Sequence, residues 1–306
     1  QENWDGRMRI NVKGEVNDDT YVQGRLTTHM KFKDAAEEDQ DGDTNMDQLY
    51  VNHNFGSDVS LRLGRQPIVF GNQGGWLINP DSGYDGVQMS YNHGQLSLTT
   101  GFGQLNLPKH TMITNNTSVL MDYYYANRDV YFAQGAYDFG FARLDATYAA
   151  LKDAKLKSMV GDMEAYGVGL NVPIQQFNLF GEYWKNTTWT QNTYDTAWNA
   201  GLSYGKADWK KPGSWDLLVA YNDVGNGLNF AGATGLQTSP LDLLTSSGFG
   251  GKYDDGAKHV TFWNAMANVT LQKNVQLHAE YAFDVDQDGG KKPVDDSWTV
   301  SLNYQF

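Results

Sequence analysis

The chain has 306 residues, 36 Asp and Glu against 23 Lys and Arg, and a net charge of -13. A nucleic-acid partner is excluded by that balance, because duplex binding needs a basic surface. No apolar run approaches the roughly 18 residues of a helical membrane span, and with no cysteine the chain has neither disulfides nor thiol chemistry.

Taken in chain order, the sequence is a series of runs with apolar side chains at every second position. "GRMRINVKGEV" sets Met8, Ile10 and Val12 against Arg7, Arg9, Asn11 and Lys13, and "NDD" is a tight turn. "YVQGRLTTHMKF" sets Val22, Leu26, Met30 and Phe32 against Gln23, Arg25, His29 and Lys31, and then a long acidic stretch follows. "LYVNHNF" and "VSLRLGRQ" flank the short turn "GSD", and the long connection "PIVFGNQGGWLINPDSGYD" leads to "GVQMSY", the turn "NHG" and "LSLTTGF". A long connection through Pro108 precedes "VYFAQGAY", the turn "DFG" and "ARLDATYAA". After a loop from Lys152 to Met163 come "YGVGLNV", the turn "PIQQ" and "FNLFGEYW". "TAWNAGLSY" and "WDLLVAY" are joined through Lys206 to Gly213, and the longest loop runs from about Asn222 to Gly256. "TFWNAMANVTL", the turn "QKN", "VQLHAEYAF", the loop "DVDQDGGKKPVDD" and the closing "WTVSLNYQF" complete the chain.

Short and long connections alternate throughout. An up-and-down barrel demands this, because one rim needs only hairpins while the other carries the loops. Mean hydropathy is -0.56 although 13% of residues are aromatic and 33 are glycine. That combination suits a wall one residue thick, wet on one side and apolar on the other. The expected fold is all-β, a transmembrane antiparallel up-and-down β-barrel occupying residues 1–306 as a single domain. The walk counts 15 strands, whereas single-chain outer-membrane barrels have an even number. The simplest expectation is 16 strands in the complete protein, with one strand before Gln1. The competing expectation is a miscount between Gly103 and Asp129 or between Asn222 and Gly256. No signal-peptide leader stands at the start, so the expectation is a processed chain or one that begins partway through a longer one.

The strand count, the short turns on one side and the ending "WTVSLNYQF" resemble the Gram-negative general porins. More narrowly, "GRMRINVKGEV", "YVQGRL" and "LRLGRQ" resemble the barrel of outer-membrane porins that carry an S-layer-homology domain. The resemblance implies a water-filled outer-membrane channel for passive diffusion of ions and small hydrophilic solutes, built as a homotrimer among lipid and lipopolysaccharide. It implies that Trp298, Val300, Leu302, Tyr304 and Phe306 form the signal read by the outer-membrane assembly machinery. It also implies that "PIVFGNQGGWLINPDSGYD" is a third loop that folds inward as the constriction, with Asn72, Gly74, Gly75, Trp76, Asp81 and Asp85. The narrower resemblance implies an N-terminal periplasmic stalk that grips the cell wall, a segment missing before residue 1. A substrate-specific channel, and a tether in which the pore is secondary, are the alternatives.

Arg or Lys at the lipid midplane costs about 2–4 kcal/mol, so Arg7, Arg9, Lys13, Arg25, Lys31 and Arg62 are expected to face the lumen as a basic wall. Arg65 breaks the alternation and is expected near the upper rim or beside a bulge at Gly64. Asp81 and Asp85 opposite the basic wall set up a transverse field; the plainer alternative is that these charges only solvate the lumen. Trp4, Tyr84, Trp184, Trp198, Trp215 and Trp263 are expected in the interfacial girdles. No cofactor is expected, with one exception. Asp284, Asp286, Asp288, Gly289 and Asp295 fall at positions 1, 3, 5, 6 and 12 of a calcium-loop pattern, with Asp in place of the bidentate Glu and Lys291 at an apolar position. The acidic stretch Glu37 to Asp43 reads as a solvated loop bridging to lipopolysaccharide through divalent ions. The six histidines fall in no catalytic motif, and no enzyme activity is expected.

Overall fold

The computed structural model describes residues 4–32, 44–71, 75–76, 83–106, 126–152, 162–190, 192–228, 236–238, 240–244, 256–291 and 293–306. Among these residues fifteen strands run up and down in chain order. They are β1 (Asp5–Asn17), β2 (Thr20–Lys31), β3 (Thr44–Phe55), β4 (Val59–Gln66), β5 (Tyr84–His93), β6 (Leu96–Asn106), β7 (Ala126–Asp138) and β8 (Arg143–Lys152). After these come β9 (Met163–Ile174), β10 (Phe177–Asn186), β11 (Thr196–Gly205), β12 (Trp215–Gly225), β13 (His259–Gln272), β14 (Val275–Asp288) and β15 (Ser297–Tyr304). Two short 3-10 turns, Asn226–Leu228 and Pro240–Leu243, lie between β12 and β13. The described residues between Asn222 and Gly256 add no further strand.

The hairpins follow from turn chemistry. Two residues separate Ile174 from its partner Phe177 and Gln272 from Val275. Such loops need positive φ to match the twist of the strands, and Gln175 (57°) and Asn274 (64°) adopt it. At the first hairpin the Asp19 amide donates to the Asn17 side chain at 3.1 Å, an Asx turn written in "NDD".

Two compact units are present. The first comprises residues 1–68 and 80–131. In it β1 to β6 pair successively and antiparallel, through registers such as Arg9↔Thr27, Asn52↔Arg62 and Arg62↔Gln88. The second comprises residues 69–79 and 132–306. In it β8 to β15 pair in the same way, through Glu182↔Asn199, Asn222↔Phe262 and Glu280↔Thr299 among others.

Each unit is apolar on the exposed face and polar on the shielded one. Met8, Ile10, Val12, Leu26, Leu49, Leu63, Met89 and Phe102 are exposed in the first unit, and Leu144, Leu170, Leu179, Leu202, Leu217 and Val300 in the second. Meanwhile Gln48 and Asn52, and in the second unit Glu182, Asn199, Asn222, Asn264, His278 and Glu280, are buried. This inverts the arrangement of a water-soluble protein. A continuous apolar surface of this extent is stable only against lipid or another apolar surface.

On the second unit's exposed face the aromatics form two bands. Tyr204 lies 4.8 Å from Phe177 and 5.4 Å from Trp215, ring centre to ring centre, toward the short turns. Tyr221 lies 5.5 Å from Trp198 and 5.3 Å from Trp263, toward the long connections. Amphipathic rings at both margins of an apolar band suit the two membrane–water interfaces. In the first unit, Trp4 is exposed. Tyr84 and Trp184, expected in the girdles, are instead buried on the polar face. Their positions within the strands put them on the opposite side from Val87 and Tyr183.

Two other expectations are corrected. Asp85 is the second residue of β5, because β4 and β5 stay paired up to Gln66↔Tyr84. Asp284, Asp286 and Asp288 lie within β14, whose pairing with β13 shifts register after Phe283, where Asp284 takes a φ of 53°, and resumes from Thr261↔Asp286 to His259↔Asp288.

Candidate functional site

On the polar face of the first unit, β1 presents Arg7, Arg9 and Lys13, β2 presents Tyr21, Gln23 and Arg25, β3 presents Tyr50 and Asn52, and β4 presents Arg62. Strand alternation alone puts these residues together, since Met8, Val12, Leu26 and Leu63 take the other face. Lys31 ends β2. The basic residues are organised by acids and rings. Arg25 grips Asp47 through Nε at 2.8 Å and an Nη at 2.6 Å, and the Thr27 hydroxyl donates to the same carboxylate at 2.9 Å. A register shift between Arg25 and Leu26 gives β3 an extra residue there and brings Asp47 to this pair. Both side chains are 14% exposed, so the fork is shielded from bulk water. The Arg62 guanidinium sits 5.1 Å from the Tyr50 ring centre and donates to Asn52 at 3.1 Å. Lys13 sits 4.6 Å over Tyr21, and Tyr21 meets Tyr50 edge-on at 6.4 Å. A cation–ring–ring–cation row thus crosses four strands, holding Lys13 and Arg62 in place.

Two expected members of the site lie elsewhere. Arg65 and Asp85 occupy the face of Leu63 and Val87, where they pair with each other. Asp85 is therefore not opposed to the basic wall as a constriction carboxylate. Asn72, Gly74 and Asp81 lie outside the described residues.

In the second unit, the start of the long connection after β4 lies on the polar face. Phe70 packs edge-on against Phe132 at 5.4 Å and tilted against Trp184 at 6.4 Å, and the Gln134 amide donates to the Val69 carbonyl at 3.1 Å. Gly71 lies so close to Glu182 that a Cβ on it would stand 2.4 Å from that carboxylate. Gly75 and Trp76 are buried. The Trp184 indole, 1% exposed, lies flat across Gly167, where a Cβ would come within 2.4 Å of the ring. Glycine in β9 thus makes the seat on which the infolded segment rests.

A second infolded segment was not expected from the sequence. Residues 236–238 and 240–244 meet the polar side of β13 and β14 through the Pro240–Leu243 turn and Thr238. Leu241, Leu243 and Leu244 are buried, as are Val224, Leu228, Val260 and Phe262. The Ala257 amide donates to the Leu243 carbonyl at 2.6 Å. The signal was present as "PLDLL", an apolar cluster in the middle of a polar connection, where a free surface loop has no use for three leucines.

Asp284, Asp286 and Asp288 do not make a calcium loop. Asp286 and Asp288 alternate along the strand about 7 Å apart, and Asp284 is set off from them by the register shift, where a calcium loop curls its ligands around one point. The Asp288 carboxylate is engaged by the Tyr194 hydroxyl, and no three Asp, Glu or His side chains among the described residues converge as a metal would require. Asp295 lies in the connection after β14. At the chain's end, Trp298, Val300, Leu302, Tyr304 and Phe306 are all exposed on the apolar side, Phe306 at 92%.

No family model matches the chain, and no curated protein matches it in sequence. Solved structures do share its fold. OprB of Pseudomonas putida superposes with a TM-score of 0.59 over 98% of this chain and 91% of that one, at 11% identity. OmpT, an outer-membrane protein of Vibrio cholerae, gives 0.55 over 98% and 89% at 14% identity. A triple mutant of the Rhodopseudomonas blastica porin gives 0.55 over 99% and 91% at 12% identity. The chain therefore has the up-and-down fold of outer-membrane porin barrels, and that fold with its exposed apolar face is the architecture of an outer-membrane protein.

Proposed function

We propose that the protein is a porin, a water-filled outer-membrane channel through which ions and small hydrophilic solutes diffuse passively. The observation that carries this reading is the inversion of its faces: lipid-compatible side chains outward, and a polar face lined by Lys13, Arg62, Asn52 and the Arg25–Asp47 fork. Charged side chains held on a shielded face have a use where water and solutes pass beside them. The aromatic rings of the second unit's polar face shield one another, so polar and charged groups are left to meet the solute, which supports general diffusion over a dedicated sugar track.

In this reading the strands close as a barrel, with 16 strands as the even number that single-chain barrels adopt. The described parts of the connection after β4, residues 69–71 and 75–76, narrow the channel. Three copies associate among lipid and lipopolysaccharide, and the exposed residues from Trp298 to Phe306 are the signal read by the assembly machinery. The protein acts without catalysis and without a cofactor.

The experiment is single-channel recording in a planar bilayer, with reversal potentials across a salt gradient. Discrete conductance steps are expected, and replacing Arg7, Arg9 and Arg62 by Gln should move selectivity toward cations. A purified, folded protein that gives no steps would end the porin reading, and steps with unchanged selectivity would end the basic-wall reading.

A further inference from the structure

We propose that the exposed face of β12 to β15, with the two short turns beside it, is a binding site for one anionic phospholipid, its headgroup on a rim of lysines and its acyl chain in an alanine-floored groove.

The rim is legible in the sequence. Lys206, Lys210, Lys211 and Lys273 lie in the turns after β11 and β13, and no other short turn of the chain contains lysine. Residues 206–214 and 273–274 hold these four lysines against the single carboxylate of Asp208, in a chain whose net charge is -13. Backbone bonds join the two turns into one platform. The Asn274 amide donates to the Trp209 carbonyl at 2.7 Å, the Gly213 amide to the Thr270 carbonyl at 2.7 Å, and the Thr270 amide to the Ser214 carbonyl at 2.9 Å. The nearby acids serve this framework: Asp208 Oδ1 accepts the Lys210 amide at 2.9 Å, and Asp216 Oδ2 accepts the Ala207 amide at 2.9 Å. All four lysines are exposed, and no carboxylate among the described residues pairs with any of them. Like charges gathered on one rim repel one another, and an anion seated there relieves the repulsion.

The groove lies on the same strands. The registers Leu217↔Ala267, Ala267↔Ala279 and Ala279↔Val300 set two methyl groups between two large side chains across β12 to β15. One row further from the turns, Ala265 pairs with Tyr281 and Tyr281 with Trp298. These side chains line a groove of about 360 Å³. Leu217, Tyr281, Trp298 and Val300 are all exposed, so the groove opens on the apolar side.

Spacing ties the rim to the groove. Ala279 is four residues past Val275, and Ala267 five before Gln272. At about 3.3 Å per residue the groove stands about 13–17 Å from the turn. Half of the hydrocarbon core of a bilayer is about 15 Å, so a lipid with its phosphate at the rim has its chains at the depth of the groove. Trp215, in the aromatic band toward the short turns, pairs with Val269, one row nearer the turns than Leu217 with Ala267. The interface that such rings mark therefore falls between groove and rim. In outer-membrane barrels the short turns face the periplasm, where the leaflet is phospholipid. A zwitterionic lipid fills the groove equally well but brings no net charge to the lysines, so the rim selects an anionic headgroup.

The test is native mass spectrometry of the protein released from micelles holding phosphatidylglycerol and phosphatidylcholine of identical chains in equal amounts. The parent should retain phosphatidylglycerol about tenfold over phosphatidylcholine, an effect of the size that roughly one or two lysines near an anionic surface supply. The combined variant Lys206→Gln, Lys210→Gln, Lys211→Gln and Lys273→Gln should bring that ratio to about one, and the same four changed to Arg should keep it about tenfold. Lys152→Gln, Lys185→Gln, Lys258→Gln and Lys291→Gln remove the same charge toward the long connections and should leave the ratio unchanged. Ala267→Leu with Ala279→Leu fills the groove from the lipid side and should lower retention of both lipids about tenfold. Equal retention of the two lipids by the parent, or a ratio lost equally in the long-connection variant, overturns the site. So does a groove-filled variant that keeps its lipid, and one that sheds copies of the chain while keeping lipid assigns the groove to a second copy. The inference rests on the outer-membrane placement of the chain and not on conduction. Selective retention in a protein without conductance steps would reject the porin and keep the site, and steps without selective retention would do the reverse.

Discussion

Arg65 and Asp85 close a two-pronged ion pair on the apolar face of the first unit, Nε to Oδ1 at 2.7 Å and an Nη to Oδ2 at 2.8 Å. They are 41% and 44% exposed, on the side that carries Leu63 and Val87. In water such a pair contributes at most about 1 kcal/mol. Against lipid the comparison differs, because an unpaired Arg costs about 2–4 kcal/mol at the midplane, and less toward the strand end where Arg65 lies. Arg65→Ala and Asp85→Ala should each lower the unfolding temperature of the protein in detergent or bilayer, Asp85→Ala the more, since it strands the arginine. The double variant should recover part of the loss. Additive losses would mean that the pair is solvated by water and not facing the membrane.

The Arg25–Asp47 fork makes a prediction of opposite character. Asp47→Asn keeps the shape and removes the negative member, leaving the positive charge of Arg25 on the polar face. Reversal potentials should move toward anions, while Arg25→Gln should move them toward cations. Unchanged reversal potentials in both variants would show that Arg25 and Asp47 are electrically remote from the permeating ion.

The first two predictions concern residues whose faces were readable to different degrees. Arg7, Arg9, Arg25 and Arg62 could be placed from period-two alternation because each is flanked in sequence by apolar residues or glycine that take the other face: Gly6, Met8 and Ile10, Gly24 and Leu26, Leu61 and Leu63. Asp85 and Asp284 to Asp288 could not. Their local sequences read as turns, rich in Asp and Gly, but a strand's end is set by how far its neighbour continues to offer hydrogen bonds. β4 pairs with β5 to Tyr84, and β13 pairs with β14 to Asp288. The seat of the infolded segments was also hidden. Trp184 on Gly167 is a contact between neighbouring strands, and Thr238 on Glu280 joins residues far apart in sequence; neither leaves a periodic trace.

Asp58 offers a pH test at the short-turn side. The Ser57 hydroxyl donates to its Oδ1 at 2.6 Å and His93 contacts its Oδ2 at 2.8 Å, which together hold the carboxyl below its ordinary range. A carboxyl depressed in the folded state stabilises the fold above its unfolded value and loses that contribution as pH falls through the folded one. The Asn92 amide, bonded to the Asp58 carbonyl at 2.8 Å, reports on this clasp. Its hydrogen exchange, corrected for intrinsic rate, should speed up in acid below the carboxylate range. With Asp58→Asn that acid-specific change should disappear.

Gly167 and Trp184 allow the narrowing by the Phe70 segment to be tested from the wall side. A methyl at Gly167 would stand 2.4 Å from the indole, so Gly167→Ala must push Trp184 off its seat. Overpacking of this kind costs about 1–3 kcal/mol. Trp184→Ala removes the same support by the opposite route, leaving a void at a cost of about 3–5 kcal/mol. Phe70 leans on Trp184 and on Phe132, so in both variants it loses one of its two aromatic contacts. Both should unfold at lower temperature, Trp184→Ala lower still, and both should conduct more than the parent. One variant fills the site and the other empties it, so a shared rise in conductance can only come from the loss of Phe70's support. Conductance equal to the parent in two destabilised variants would mean that this segment is packed on the wall without narrowing the path.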